Sequence, residues 1–260
     1  MLKTVLARLH QKHRTIKYPK APPPPLPDRF RGRLCVQPNL CPSDCKACVE
    51  ICPVQALART GATAPSVDLG RCLFCGECAA ACPQKAITFD SGHSLSTSRR
   101  EHLVLAPGQT LELACTMRAE IHRFLGRSLK LRQVSAGGCN ACEADVNVLG
   151  TVGWDLGRFG IQFVASPRHA DGLLITGPVT QNMQFALMET YRAVPDPKIV
   201  IVVGACAIAG GPCLGHPEVN NGAGGLLPVD LFIPGCPPHP LTILDGLLRL
   251  LGRLPNPTVK

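Results

Sequence analysis

Four cysteines stand at a spacing that suits the binding of iron and sulfide. The motif is Cys72-x2-Cys75-x2-Cys78-x3-Cys82, and a proline follows its last cysteine. In such a motif a tight loop points the first three thiolates at three corners of one cubane, while the fourth cysteine crosses to a neighbouring cluster. The spacing therefore predicts a 4Fe-4S site and requires a second site close by.

A second group of cysteines lies upstream and provides the neighbouring site. It reads Cys41-x3-Cys45-x2-Cys48-x3-Cys52-Pro, with one extra residue in its first gap. Together the two motifs make residues 37–90 resemble the two-cluster bacterial ferredoxins. The crossing of each fourth cysteine gives two predicted ligand sets: Cys41, Cys45, Cys48 and Cys82 for the first 4Fe-4S cluster, and Cys52, Cys72, Cys75 and Cys78 for the second.

The irregular gap leaves the first ligand open. Cys35 lies near enough upstream to substitute for Cys41, although the motif favours Cys41. A pair of zinc sites is the competing chemistry for these cysteines, because thiolates are also common ligands of structural zinc. Two repeated four-cysteine motifs that both end in Cys-Pro favour clusters over zinc.

Four more cysteines are scattered in the sequence, but each follows a predicted β-strand. Cys139 and Cys142 come after a strand at 130–134. Cys206 follows the strand in KIVIVVG, and Cys236 follows the strand in VDLFIPG. The carboxyl ends of parallel strands meet at one edge of a sheet, where open α/β folds build their sites. We therefore expect these four thiols to hold a third site, either a 4Fe-4S cluster or a zinc ion.

Two further residues near this third site carry alternatives. Glu143 directly follows Cys142 and is a candidate proton relay, although it could equally cap the helix that starts there. Cys213 lies seven residues after Cys206 in a glycine-rich stretch and stays open as a spare ligand. A buried small side chain is the other interpretation of Cys213.

The elements that position these cysteines fall into two regions. Residues 34–95 are predicted to form an α+β, ferredoxin-like two-cluster domain, and residues 96–128 a linker that ends in a helix over 111–125. Residues 129–260 alternate strands and helices, which predicts an α/β, flavodoxin-like domain with a mostly parallel sheet. The predicted strands are 130–134, 161–165, 172–175, 198–203 and 229–233. The predicted helices are 142–149, 181–193 and 241–251.

Residues 1–33 differ from the rest in charge and periodicity. They carry nine Lys or Arg against one acid, Asp28, and so account for eight of the nine net positive charges of the chain. Apolar side chains recur at helical spacing over 2–16 with basic residues between them. A proline-rich strap follows at 19–27. The helix is predicted to lie in a membrane interface or to dock on a membrane-embedded subunit, and the second is favoured.

Composition also bounds location and partners. Fifteen cysteines without an apolar signal segment indicate metal ligands rather than disulfides. No apolar run is long enough to cross a bilayer, so we expect a peripheral protein on the cytoplasmic side of the cell membrane. The excess of basic residues is confined to the amino-terminal arm and lacks a recognisable binding module, which argues against a nucleic-acid partner.

Several segments of the α/β region resemble one known family. GGCNACEADVNVLG, SPRHADGLLITGPVT, VVGACAIAGG and DLFIPGCPPHPLTILDGLL are similar to the cluster-binding 20 kDa subunit of NADH-quinone oxidoreductases. They are still more similar to the small subunit of membrane-associated, energy-converting (formate-hydrogenlyase-like) NiFe-hydrogenases, because Cys139 and Cys142 are separated rather than adjacent. The segments IKYP and PDRFRGRLC resemble the ferredoxin-like subunit of the same complexes. The chain thus resembles a fusion of two neighbouring subunits.

The resemblance implies a non-catalytic electron relay built on three 4Fe-4S clusters. It assigns the third cluster four ligands: Cys139, Cys142, Cys206 and Cys236. The active centre would lie in a hydrogenase-like or complex-I-like large subunit. Membrane-arm subunits and an upstream donor (formate dehydrogenase, carbon monoxide dehydrogenase or a ferredoxin) would complete the assembly. Proton reduction or hydrogen oxidation is the expected reaction. Quinone reduction, a nickel-free relative and a stand-alone ferredoxin-type carrier are the alternatives.

Overall fold

The computed structural model describes residues 2–12, 14–61 and 63–255. Its helices are α1 Leu2–Gln11, α2 Ala47–Glu50, α3 Glu77–Ala80, α4 Ala119–Leu125, α5 Ala141–Val148, α6 Gln181–Ala193, α7 Ala205–Ala209 and α8 Pro240–Leu250. Its strands are β1 Leu34–Val36, β2 Leu57–Ala58, β3 Ser66–Asp68, β4 Ile87–Phe89, β5 Val104–Leu105, β6 Leu129–Ser135, β7 Ile161–Phe163, β8 Gly172–Thr176, β9 Ile199–Val203 and β10 Leu231–Ile233. The predicted alternation of strands and helices after residue 129 is confirmed, with small shifts at their ends. No helix among the described residues is long and apolar enough to span a bilayer.

A five-stranded sheet organises the carboxy-terminal half. Its strand order is β10-β9-β8-β6-β7, and every neighbouring pair is parallel. In chain order, β6 is the first strand of this sheet, and it lies between β7 and β8. The chain therefore adds β7 on one side of β6 and β8, β9 and β10 on the other side. This order creates a switch point between β6 and β8, which is where open α/β sheets bind ligands.

The central strands are continuous apolar runs because both faces of the sheet are covered. Every residue of β8 and β9 is buried. Alternate side chains enter two different cores, with Leu173 and Val200 on one face and Leu174 and Ile201 on the other. Helices α6 and α7 pack on the first face, whereas α5 and α8 pack on the second.

The ferredoxin-like region packs on the first of these faces. Within it, β1 pairs with β4, and β2, β3 and β5 form a second antiparallel sheet. Its buried side chains Leu69 and Leu103 belong to the same apolar core as Val200 and Ile208 of the α/β region. Because such cores are close-packed, a shared one holds the two regions in a fixed relation.

The segment 96–128 does more than link the two regions. Its strand β5 completes the three-stranded sheet of the ferredoxin-like region. Thr97 forms two backbone hydrogen bonds with Phe232 of β10, of 2.9 and 3.0 Å, and so adds an antiparallel bridge to the edge of the parallel sheet. The segment therefore ties each region to the other through backbone pairing.

The helix predicted over 111–125 is only partly present, because α4 begins at Ala119. Upstream, the N–H of Ala114 donates to the carbonyl of Ser96 at 2.7 Å, and that of Met117 donates to Leu250 at 3.0 Å. A backbone N–H used in this way is not available for a helical bond. The prediction was wrong for 111–118 because long-range pairing outcompetes local helix propensity there.

The amino-terminal helix is shorter than expected, and an anchor segment, residues 15–21, follows it across the α/β region. Helix α1 ends at Gln11, and His13 of its predicted apolar stripe lies outside the described residues. In the anchor segment, the carbonyls of Ile16 and Tyr18 accept hydrogen bonds from Arg158 at 2.6 and 2.9 Å. The Tyr18 hydroxyl donates to Asp245 of α8 at 2.7 Å. The anchor segment is therefore attached to α8.

The Tyr18–Asp245 contact predicts a measurable loss of stability in Tyr18→Phe. Asp245 is 1% exposed, so removal of the hydroxyl leaves a buried carboxylate oxygen short of one donor, at a cost of about 2 kcal/mol. Arg249 remains paired with the same carboxylate at 2.8 Å. The free energy of unfolding should fall by this amount in anaerobic guanidinium titrations followed by circular dichroism. Tyr191→Phe is the matched control, and equal stability of both variants would contradict the anchor role.

Candidate iron–sulfur sites

The first cysteine set converges on α2, a single-turn helix that carries Cys48. Burial raises the pKa of the Cys48 thiol, and the nearby thiols of Cys41, Cys45 and Cys82 raise it further. Cys82 comes from the other motif, as a crossing fourth ligand would. The structure thus brings together the four side chains that the spacing predicted for the first set.

Cys35, the alternative first ligand, makes its contacts within the β1–β4 strand pair and not with the first cysteine set. It lies in β1 opposite Thr88 of β4. Its thiol is 3.6 Å from the carbonyl oxygen of Arg33 and 4.0 Å from a carboxylate oxygen of Asp90. These contacts occupy the Cys35 thiol on the β1–β4 pair.

A cation that the cysteine spacing does not predict lies beside the first set. The Nη1 atom of Arg59 lies 3.7 Å from the sulfur of Cys41. The same guanidinium donates to the carbonyl oxygens of Cys45 and Pro42, the latter at 2.6 Å. Arg59 therefore holds the irregular first gap closed and places positive charge next to a thiol. It follows β2, outside both motifs, so their spacing gave no signal for it.

The second set gathers around α3, which carries Cys78. Burial raises the pKa of Cys72 to about 12. Burial, together with the neighbouring thiols of Cys75 and Cys52, raises that of Cys78 to about 11. The buried thiols of Cys72 and Cys78 therefore resist ionisation on their own, since burial disfavours the thiolate and neighbouring thiolates would repel it.

The two sets share a repeated hydrogen bond. The N–H of Ala56 donates to the sulfur of Cys52, and the N–H of Ala86 donates to the sulfur of Cys82, both at 3.2 Å. Each donor lies four residues after its cysteine, in CPVQA and CPQKA. N–H donors to cluster sulfurs are one of the levers that set reduction potential. The two motifs are therefore equivalent in geometry at their Cys-Pro ends.

The third set lies at the carboxyl edge of the parallel sheet. Cys139 follows β6, Cys142 lies in α5, Cys206 lies in α7 after β9, and Cys236 follows β10. Burial is the largest cause that raises the pKa of the Cys142 thiol, and the charges of four neighbours raise it further: Cys206, Glu143, Cys236 and Cys139. The four thiols that the strand ends predicted are thus neighbours across the switch point.

Glycines make room for two of these sulfurs. A Cβ on Gly204 would lie 2.5 Å from the sulfur of Cys142, and a Cβ on Gly211 would lie 2.5 Å from the sulfur of Cys206. Gly204 has a φ of +92°, a region that favours glycine. Any larger residue at either position would displace a thiol of the third set.

Glu143 is fixed beside the third set rather than free. Its Oε1 accepts hydrogen bonds from Ser135 and Thr176, both at 2.6 Å. Burial alone would raise the pKa of this carboxyl, but these bonds and one from its own N–H lower it. The carboxylate thereby joins β6, β8 and the start of α5. The proton-relay role of Glu143 stays a prediction.

The two remaining cysteines differ in their distance from a site. Cys213 is exposed and near enough to contribute, after burial and the closer thiols of Cys236 and Cys139, to the raised pKa of Cys206. Cys115 is also exposed, but its backbone N–H donates to the Ser98 hydroxyl of the 96–128 segment. Cys213 therefore stays open as a spare ligand, and its interpretation as a buried small side chain is wrong. The thiol of Cys115 lies 3.8 Å from the carbonyl oxygen of Leu113, away from the three sets.

The three sets lie in a row. Cys48 of the first set contributes to the raised pKa of Cys78 in the second, after burial and closer thiols. Cys75 of the second set likewise contributes to the raised pKa of Cys236 in the third, after burial and Cys139. A cleft of about 240 Å³ opens between the second and third sets. Its lining includes Arg31, whose Nη1 donates to the carbonyl of Phe74 at 3.1 Å.

The donor chemistry of all three sets fits 4Fe-4S clusters. Each set offers four thiols, which is the usual ligation of such clusters. Within each set, burial and repulsion by neighbouring thiols raise the pKa of the most buried cysteines, such as Cys48, Cys72 and Cys142, and a cationic metal centre would offset this cost. When bound, the clusters would supply one-electron carriers, and the chain would supply their ligands, their N–H donors and their relative positions.

Comparisons with known proteins agree with this division of the chain. Residues 40–86 match the model of the 4Fe-4S dicluster domain. Residues 139–250 match the model of the NADH ubiquinone oxidoreductase 20 kDa subunit. The two matches cover the regions that hold the first two cysteine sets and the third set, respectively.

Three curated relatives match the chain over about half its length. A probable membrane-bound hydrogenase subunit of Pyrococcus furiosus is 43% identical, over 52% of this chain and 81% of that protein. Formate hydrogenlyase subunit 7 of Escherichia coli is 41% identical, over 55% of this chain and 56% of that protein. An NADH-quinone oxidoreductase subunit of Carboxydothermus hydrogenoformans is 42% identical, over 47% of this chain and 74% of that protein.

Some of these relatives are matched over most of their own length, which supports the resemblance noted in the sequence. The matched region contains most of the parallel sheet that carries the third cysteine set at its switch point. The chain therefore belongs to the NADH ubiquinone oxidoreductase 20 kDa subunit family, with a 4Fe-4S dicluster domain preceding the family domain in the same polypeptide.

Proposed function

We propose that this chain is the electron-transfer subunit of a multi-subunit, membrane-associated oxidoreductase. The observation that carries the proposal is the row of three four-cysteine sets, in which neighbouring sets approach through Cys48 and Cys78 and through Cys75 and Cys236. The row runs from the dicluster domain to the edge of the parallel sheet. It gives one-electron carriers a continuous path through the chain.

The ligand assignment follows the same groups. The first 4Fe-4S cluster takes Cys41, Cys45, Cys48 and Cys82; the second takes Cys52, Cys72, Cys75 and Cys78; the third takes Cys139, Cys142, Cys206 and Cys236. Zinc would also take four thiolates, but the repeated Cys-Pro endings of the first two sets favour a cubane, which takes one thiolate at each iron.

The catalytic centre is proposed to lie in a NiFe-hydrogenase-like large subunit that contacts the edge of the third set. This proposal is supported by the relatives named as a membrane-bound hydrogenase subunit and a formate hydrogenlyase subunit, and by the two-residue separation of Cys139 and Cys142. Proton reduction or hydrogen oxidation is then the overall reaction. The complex is proposed to sit peripherally on the cytoplasmic side, with membrane-arm subunits and a donor such as formate dehydrogenase, carbon monoxide dehydrogenase or a ferredoxin.

A quinone-reducing, complex-I-like module is the second candidate. It is favoured by the 42% identity to the NADH-quinone oxidoreductase relative. Anaerobic affinity purification of the native complex, followed by metal analysis, separates the two candidates. About twelve irons per chain together with a nickel-containing subunit are expected for the hydrogenase. The same iron without nickel would move the function to quinone reduction or a nickel-free relative, and zinc in place of iron would overturn both.

The ligand assignment at the irregular gap predicts different outcomes for two cysteines. Cys41→Ala should lower the iron content by about four per chain, because the first cluster loses a ligand. Cys35→Ala is the matched control and should leave iron unchanged, since its thiol faces Arg33 and Asp90. Iron is measured by a colorimetric assay on anaerobically purified protein. Loss of iron in the Cys35 variant alone would reverse the assignment.

A further inference from the structure

Helix α1 presents an apolar stripe that the described remainder of the chain does not cover. Leu2, Val5, Leu6 and Leu9 are 54–74% exposed. They recur at helical spacing and so form one face, while Lys3 and other basic residues lie between them. All described residues of the helix are exposed. A short helix of this kind, apolar on one side and basic on the other, is typical of segments that lie in a membrane interface.

A cavity of about 700 Å³ lies beneath the anchor segment that follows this helix. The lining combines four cations with aromatic and aliphatic side chains. The cations are Lys17, Lys20, Arg158 and Arg253. Within the described ranges, no acidic residue lines the cavity. Its volume is in the range of sites that hold small organic ligands.

The positive charge of this cavity is not neutralised within the described chain. Arg158 donates to the carbonyls of Ile16 and Tyr18, and Arg253 donates to the carbonyl of Gly126 at 3.0 Å. Carbonyl groups position these guanidinium groups without cancelling their charge. Among the described residues, none of the four cations forms an ion pair with a carboxylate. An anion that entered the cavity would meet donors that are already in place.

We propose that the cavity under the anchor segment binds the headgroup of an anionic phospholipid while the apolar stripe of α1 lies among the acyl chains. Arginine forks suit phosphate oxygens, and Lys17 and Lys20 add point charges beside them. The inference deepens the peripheral membrane placement of the proposed function. Its test reads lipid binding alone, so electron transfer can hold or fail independently.

The pairing of the two features favours a lipid over a protein partner. Only a few residues of chain separate the stripe from the cavity, so one lipid surface can supply both acyl chains for the stripe and a headgroup for the cavity. Neither carries an acidic side chain among the described residues, so both complement the negative potential of an anionic leaflet. A free phosphate would use the cavity but leave the apolar stripe without an occupant.

The test is sedimentation of the full, iron-loaded chain with vesicles under anaerobic conditions. Vesicles of phosphatidylcholine with one third phosphatidylglycerol should bind the protein, and vesicles of phosphatidylcholine alone should bind it much less. Lys17→Gln with Lys20→Gln should weaken binding to the anionic vesicles by about tenfold. The matched control, Lys85→Gln with Lys130→Gln, removes the same charge from exposed sites elsewhere and should bind like the parent.

The remaining outcomes decide against the proposal. Equal binding of the two lysine pairs would show attraction by net charge only, and release by inorganic phosphate but not by chloride of equal ionic strength would assign the cavity to free phosphate. Leu6→Asn with Leu9→Asn leaves the cavity intact and should also weaken vesicle binding. If no variant or parent binds vesicles while the complex still sediments with native membranes, the stripe serves a protein partner. Iron content confirms that each variant is folded.

Discussion

Cys142→Ala is expected to lower the iron content from about twelve to about eight per chain and to abolish electron exchange with the proposed catalytic partner. The physical reason is the position of its thiol at the centre of the third set. It is the residue whose pKa is raised by burial and by all three other thiols of that set. Without it, the remaining cysteines cannot complete four-thiolate ligation.

The first two sets should survive this change, because they share no ligand with the third. Low-temperature EPR of the reduced variant should therefore retain two cluster signals and lose one. Cys213→Ala is the control, since its thiol is the nearest that the assignment leaves out. Full iron in the Cys142 variant, or loss of iron in the Cys213 variant, would show that Cys213 is a ligand and that the third set is misassigned.

Gly204→Ala is expected to damage the third site while leaving every cysteine in place. The added Cβ would lie 2.5 Å from the sulfur of Cys142, which is too close for two such atoms. The φ of +92° is also strained for alanine. Either the thiol or the loop after β9 has to shift, and both changes move a ligand of the third set.

The expected result is a loss of about four irons per chain, with a fall in hydrogen-dependent or donor-dependent activity of about ten- to a hundredfold, in line with losses from disturbed metal surroundings. Gly224→Ala is the matched control, because a Cβ there meets nothing within 4 Å. Iron and activity are measured on complexes purified side by side. If Gly204→Ala assembles a normal third cluster, the Cys142 sulfur is not held where the structure has it.

Local motifs could be predicted from the sequence because their chemistry depends on short spacings. The crossing of Cys52 and Cys82 followed from the Cys-Pro endings, and the convergence of the third set followed from strand ends in a parallel sheet. The ligand assignment itself stays a prediction until metal is measured. What the spacing could not supply was the choice between Cys35 and Cys41, which depends on a strand pairing.

Features that rest on long-range contacts were missed for the same physical reason. Residues 111–118 have a helical pattern, yet the N–H groups of Ala114 and Met117 pair with Ser96 and Leu250, which are distant in the sequence. Arg59 stands between the motifs and meets Cys41 only through the folded loop. The contact between Tyr18 and Asp245 joins residues 227 positions apart. No periodicity or motif encodes such pairs.

The attachment of the chain on both sides of the dicluster domain has a consequence for the proposed electron relay. Tyr18 holds the incoming chain to α8, and Thr97 holds the outgoing chain to β10. The dicluster domain is therefore attached to the α/β region at both of its ends and does not hang on a flexible linker. A carrier domain that must move between its donor and its acceptor transfers electrons more slowly in a viscous solvent. A domain that is attached at both ends keeps a constant distance between donor and acceptor sites, so its transfer rate does not depend on domain motion. Transfer from the second site to the third should then be as fast in glycerol as in water.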